Sequence, residues 1–338
     1  MAACTKEGDT VYLPDPNEPT ASAAPLVTVV YDTEGVGDLG YNDLIYTGVE
    51  RAAAKHGLLT FQLTPSSLSE GQYYLETAIQ RMTSATDSIR RLLIVASSAY
   101  DDFIRKNSHR LANCPNADLL YLETSKPLDG KGSTLYLSFY GAMYEAGALS
   151  PYITDDALII GANPKNESVV AAVKGFCDGA ASNNDSITLT TIYLAQEADK
   201  GFNIADSTAL MLMDEFFKDY CETMLVPICG GANRTFGNMA ELSKTYWYMG
   251  IDRQPLNSYF SPMSAVKHID RAVALCIEQW MSAERMPKHQ TFSLASGFTE
   301  VVLHPMDSDV MMSLGTLTEE MRKQIHEDAV RKEEAYGK

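Results

Sequence analysis

The sequence predicts an α/β protein of two doubly wound parallel-sheet lobes joined by a hinge, and three observations carry that prediction. From Leu26 onward, short β-rich runs alternate with longer stretches of helical period, the pattern of βαβ units. The alternation occurs twice in succession, giving two similar halves. No single glycine fingerprint dominates, so two facing lobes fit better than one dinucleotide-binding domain. At 338 residues and 45% hydrophobic composition, the chain is long enough for two domains with substantial cores.

Taken in order, Leu26–Tyr31 reads as a buried strand, followed by a glycine-rich loop and a helix from about Asp43 to His56 that stops at Gly57. Leu92–Val95 and Leu119–Leu122 are the next strands, with amphipathic stretches near 70–86 and 100–112. A second series runs through Leu135–Phe139, Ala157–Ile160, Ile187–Tyr193 and Met224–Ile228, with helices near 166–181 and 206–220. Its character changes at Tyr246–Asp252, after which a long helix is expected from about Pro262 to Met281. Gln290–Ser296 and Val301–His304 read as strands. Leu317–Glu334 reads as an amphipathic surface helix to which no function is assigned. The resulting division is a tether over 1–25, a first lobe over 26–128 plus about 250–285, and a second over 129–249 plus about 286–338.

Charge and composition exclude several classes. With 27 Lys+Arg against 44 Asp+Glu, the formal charge of −17 repels phosphate backbones, so nucleic acid is not an expected partner. The six cysteines, at 4, 114, 177, 221, 229 and 276, contain no C-x-x-C pair, and the histidines contain no i, i+4 pair of the zincin kind. No metal or cofactor is therefore expected. Ser264-Ala265-Val266-Lys267 matches the Ser-x-x-Lys of acyl transferases but lacks the companion motifs, so no catalytic residues are assigned. No run of about 18 apolar residues is present to span a bilayer.

Met1-Ala2-Ala3-Cys4 looks like the end of a bacterial lipobox, whose cysteine is lipidated after cleavage. The upstream signal regions are missing, so the chain is expected to start near the cleavage point. Residues 5–25 carry Pro14, Pro16, Pro19 and Pro25 among polar and small residues, a composition that cannot order itself and reads as a tether. Lipid on Cys4 would hold a monomeric folded body at the bacterial cell envelope.

The most informative segment is Tyr31–Asp43, between the first strand and the first helix. In open α/β sheets ligands bind beyond the carboxyl ends of strands, and this loop offers carboxylates, an aromatic ring and a carboxamide there. Spacing leaves two roles open for Asp38 and Asn42: contact with a ligand, or capping of the following helix.

Asp32, Gly35, Asp38 and Asn42, with Tyr41 in place of a phenylalanine, resemble the opening motif of the basic membrane protein family of bacterial lipoproteins, of the purine-nucleoside-receptor type. Four further segments are similar to that family's landmarks, in the family's order. They are Gly175–Ala180, Cys229-Gly230-Gly231-Ala232, Gly250-Ile251-Asp252 and Ser264–Asp270. The resemblance, which runs from about Leu26 to Gly297, implies a type I periplasmic binding protein that closes on a purine nucleoside for ABC-type uptake, with a permease as partner. It implies that Asp32 and Asn42 contact the ligand, that Tyr41 stacks on its ring, that Asp252 and Lys267 contribute, and that Gly230 allows close backbone approach. The sequence departs from the pattern at Glu34 and Gly40, and at Glu123, which aligns with an aspartate. The second aromatic that the family carries before its Ala-Gly-Gly loop falls near Val226, where no ring stands, and Trp247 or Tyr140 could supply a substitute. A sensor or surface-capture lipoprotein for another ring ligand is the alternative, and a nucleoside-processing enzyme a third.

Overall fold

The computed structural model describes residues 23–182, 187–216, 223–243, 246–253, 260–282, 286–304 and 316–337. Six parallel strands form the first sheet: β1 (Leu26–Val30), β2 (Leu59–Leu63), β3 (Arg91–Val95), β4 (Ala117–Leu122), β5 (Ser133–Leu137) and β12 (His289–Phe292), in the order β12-β5-β4-β3-β1-β2. Its inner strands read as continuous apolar runs because both faces are covered. Val27, Val29, Leu92, Ile94, Leu120 and Leu122 pack toward α1 (Tyr41–His56) and α8 (Ile269–Met281). Val30, Leu93, Val95, Leu119 and Tyr121 alternate onto the opposite face, under α2 (Leu68–Ser84). α1 stops where expected, at Gly57 in the left-handed conformation.

The second lobe holds a parallel sheet of β6 (Asp156–Gly161), β7 (Thr188–Tyr193), β8 (Met224–Ile228) and β9 (Trp247–Tyr248), in the order β7-β6-β8-β9. Among its helices are α4 (Tyr140–Leu149), α5 (Glu167–Ser182) and α7 (Ala232–Ser243). α4 and α5 approach so closely that a Cβ on Gly179 would lie 1.9 Å from the Tyr144 carbonyl oxygen. A three-stranded sheet of β10 (Gly250–Asp252), β11 (Met263–Lys267) and β13 (Thr299–Leu303) shares this lobe's core through Ile251, Met263 and Ala265.

Several expectations are corrected. Met263–Lys267 is a strand, and the helix expected from Pro262 begins at Ile269. Five residues of mixed polarity, Met-Ser-Ala-Val-Lys, fit either element, and pairing on both sides with β10 and β13 decides it. Ser133–Leu137 and His289–Phe292, expected in the second lobe, pair with each other in the first sheet. Conversely, β10 and β11, expected in the first lobe, join the second lobe's core while α8 stays with the first. Among the described residues the chain therefore passes between lobes three times: after β5, after β11 and after β12.

The final helix, α9 (Glu319–Tyr336), capped by Thr318, is not wholly a surface element. Its Glu333 is buried and joins two of the crossings. One carboxylate oxygen accepts from Ser138 Oγ (2.6 Å) and Gly141 N (3.0 Å), and the other accepts from Leu294 N (2.9 Å). Cys4 and the tether lie outside the described residues apart from 23–25, as does Cys221.

Candidate functional site

Between the lobes, at the carboxyl ends of β1, β8, β10 and β11, lies a cleft with a cavity volume of about 100 Å³. The loop after β1 builds one wall and is held by its own acids. Asp32 Oδ1 accepts from the backbone N–H of Glu34 (2.9 Å) and Gly35 (3.2 Å) and from Asn42 Nδ2 (2.9 Å). Gly35 has φ of 64°, and a Cβ there would strike the Thr64 side chain, so the turn requires glycine.

Asp38 caps α1. Its Oδ2 accepts from Asn42 N (2.9 Å) and Asn42 Nδ2 (3.1 Å), and its Oδ1 accepts from Asp43 N (3.2 Å) and Gly40 N (2.8 Å). It also lines the cleft, so the two roles that spacing left open coexist. Asn42 is buried. With both amide hydrogens given to Asp32 and Asp38, its Oδ1 has no partner. The buried Tyr41 hydroxyl also has none.

The other residues arrive from strand ends. Glu123, just past β4, and Asp252, ending β10, both hold left-handed backbone, φ 58° and 67°, a conformation that costs a non-glycine residue roughly 1–3 kcal/mol. Glu123 Oε2 accepts from Ser168 Oγ of the opposite lobe, while its Oε1 is buried without a partner. Lys267, ending β11, is buried with Nζ 3.6 Å from Asp252 Oδ1 and 4.6 Å from the centre of the Phe139 ring. Gly230, φ 56°, brings the loop after β8 against Phe202, since a Cβ there would lie 3.1 Å from Phe202 Cδ1.

Burial pushes Asp32 and Asp38 above the usual carboxylate range, against the hydrogen bonds that lower them. Glu34 is pushed up to about 7 by burial and then by the charges of Asp32 and Asp38. For Lys267, burial alone would lower the ammonium, but Glu123 and Asp252 outweigh it and the net shift is upward.

The lobes are closed on one another. Asn166 Nδ2 donates to Ser98 Oγ (3.1 Å), and Ser125 Oγ donates to Glu167 Oε1 (2.5 Å). All eight residues singled out from the sequence, Asp32, Asp38, Tyr41, Asn42, Glu123, Gly230, Asp252 and Lys267, line this one cleft. The substitute rings do not. Tyr140 stacks on Tyr336 at 4.2 Å and donates to Asp178, Trp247 packs on the second-lobe core, and Val226 is buried in β8. The rings that line the cleft from elsewhere are Tyr100, Phe139 and Phe202, none of them picked out by spacing.

The Ser-x-x-Lys run cannot act as a pair. Positions i and i+3 of a strand face opposite ways, and Ser264 Oγ bonds His304 Nε2 (2.8 Å) in the core. Among the described residues no group of histidine, cysteine and carboxylate side chains could hold a metal ion.

No protein-family model matches the sequence, and no curated protein matches it. Solved structures do. A solute-binding protein of an ABC transporter system from Aeropyrum pernix K1 is similar at 15% identity, with 93% of this chain and 90% of that one covered and a TM-score of 0.65. A transcriptional activator of the comK gene from Bacillus halodurans is similar at 16% identity, 91% and 96% coverage and a TM-score of 0.66. A glucose-galactose binding protein from Geobacillus stearothermophilus is similar at 15% identity, 83% and 97% coverage and a TM-score of 0.56. At these identities the likeness is one of architecture, and the chain has the type I periplasmic-binding-protein fold.

Proposed function

We propose that the protein is a solute-binding lipoprotein of the basic membrane protein type, which captures a purine nucleoside or a similar polar ring between its lobes and delivers it to an ABC-type permease. Lipid on Cys4 would hold it at the bacterial cell envelope. The observation that carries the reading is the convergence on one interlobe cleft of eight residues chosen from five separate sequence segments. Buried, unpartnered oxygens on Tyr41, Asn42 and Glu123 support it, since such atoms are costly unless something completes them. Tyr41 and Phe202 line the cleft from opposite lobes and carry the rings that stacking would use.

Capture then works by population shift. The lobes turn about the three crossings, and a ligand favours closure only through contacts it makes better in the closed form. A sensor is the second reading, favoured by the likeness in fold to a transcriptional activator.

Calorimetry with adenosine tests the binding claim, which predicts one site per chain. Tyr41→Ala should weaken binding by at least about 1 kcal/mol through lost stacking. Asp252→Ala should weaken it by about 1.5 to 3 kcal/mol if the carboxylate accepts ligand hydroxyls. Unchanged affinity in both variants would remove the cleft from the account.

A further inference from the structure

We infer that the cleft selects a positively charged ring: its ligand is a planar cation rich in hydrogen-bond donors, neutral isosteres bind more weakly, and phosphorylated ones are refused. The inference rests on the reading of this cleft as a ligand site and fixes the charge of what enters it.

The first ground is the balance of donors and acceptors. Asn42 would ordinarily present two donor hydrogens, but both are spent on Asp32 and Asp38, so it offers only its carbonyl oxygen. Glu123 likewise offers the bare Oε1. Both side chains are more than nine-tenths buried, and both line the cleft. A ligand that completes them must bring N–H or O–H groups, which an anion lacks at its charged end.

The second ground is charge. Among the described residues, six carboxylates line the cleft, on Asp32, Glu34, Asp38, Glu123, Asp199 and Asp252, against the single ammonium of Lys267. No arginine or histidine lines it among the described residues. Lys267 is already committed to Glu123, Asp252 and the Phe139 face, so no further cation of the cleft's described lining faces Asp32, Glu34, Asp38 and Asp199. Burial raises Asp32, Glu34 and Asp38, and the charges of neighbouring acids add to it.

The third ground is what the acids do not do. The cleft residues do not form a group that could hold a metal, and the Asp38 oxygens and Asp32 Oδ1 are occupied by N–H donors, so an inorganic ion has no cage. With the Phe139 face taken by Lys267, the aromatic side chains left among the cleft's lining include Tyr41 and Phe202. Aromatic faces among carboxylates are the setting for an organic cation, which gains from the ring quadrupoles as well as from the charges.

Calorimetry on the full chain at pH 7 with two matched pairs is the test. The first pair is adenosine and 1-methyladenosine, neutral and cationic, with adenosine 5′-monophosphate as the anion. The second is nicotinamide and 1-methylnicotinamide, which differ in the same way and carry no ribose. The expected result is that 1-methyladenosine binds at least tenfold tighter than adenosine, that the monophosphate does not bind, and that Glu123→Gln narrows the ratio. Adenosine binding as tightly as its methylated form, or the monophosphate binding at all, overturns the inference and leaves the nucleoside reading standing. Preference for 1-methylnicotinamide with no binding by either nucleoside supports the inference and ends the nucleoside reading. No preference for the cation in either pair overturns the inference.

Discussion

Lys267→Met should lower the stability of the protein by about 3 to 5 kcal/mol at pH 7, the range for breaking a buried ion pair by removing one partner. Lys267 and Asp252 are both buried, with Nζ 3.6 Å from Oδ1, and Glu123 also acts on the ammonium. Methionine fills the space of the stem but leaves the buried Asp252 and Glu123 carboxylates without the ammonium that acts on both. The pH dependence has a definite sign. The Lys267 pKa is raised above its ordinary 10.5, so its contribution is complete below that value and is lost as pH climbs through the folded-state value. The deficit of the variant is therefore present at neutral pH and narrows under strongly alkaline conditions. Urea unfolding at pH 7 and in the alkaline range reads this directly; a deficit below about 1 kcal/mol at pH 7 would mean that the pair is solvated and carries little.

Glu333→Ala should cost about 3 kcal/mol or more. The carboxylate accepts three hydrogen bonds, and its removal strands the N–H groups of Gly141 and Leu294, at roughly 1–3 kcal/mol for each buried donor left unmade. The same change unties two of the three interlobe crossings, because Ser138 and Gly141 follow β5 while Leu294 follows β12. Glu333→Gln keeps one acceptor and should recover roughly half of the loss, since its amide end cannot accept the second N–H. Thermal unfolding of the two variants beside the parent separates these outcomes. A loss within about 0.5 kcal/mol for alanine would show that α9 decorates the surface and does not brace the crossings.

The fold was legible where burial wrote a simple pattern. Leu92–Val95, Leu119–Leu122 and Met224–Ile228 are apolar throughout because helices cover both faces of their sheets. The pattern failed at the edge. β2 was not predicted because Leu59 and Phe61 stand 58% and 57% exposed, so its apolar residues do not mark an inside face. It failed again at Met263–Lys267, where strand or helix is decided by β10 and β13, one of them more than thirty residues away. Lobe membership was misassigned for a related reason. β5 and β12 pair across some 150 residues of intervening chain, and nothing local encodes that partnership.

The site was legible to the extent that it is local or ordered along the chain. Asp32, Asp38, Tyr41 and Asn42 share one loop, and Gly230, Asp252 and Lys267 lie in segments similar to a known series. Phe202 and Asn166 come from irregular connections after β7 and β6, which carry no period, and only the closure of the two lobes brings them to the ligand side.

The central claim is that the loop after β1 and the second-lobe loops close together on one ligand. Hydrogen exchange with and without saturating adenosine, or 1-methyladenosine if that binds tighter, tests it most directly. The account predicts slowed exchange in 32–42 of the first lobe and in 198–203 and 228–232 of the second. Slowing in one lobe alone, or in neither, would contradict it.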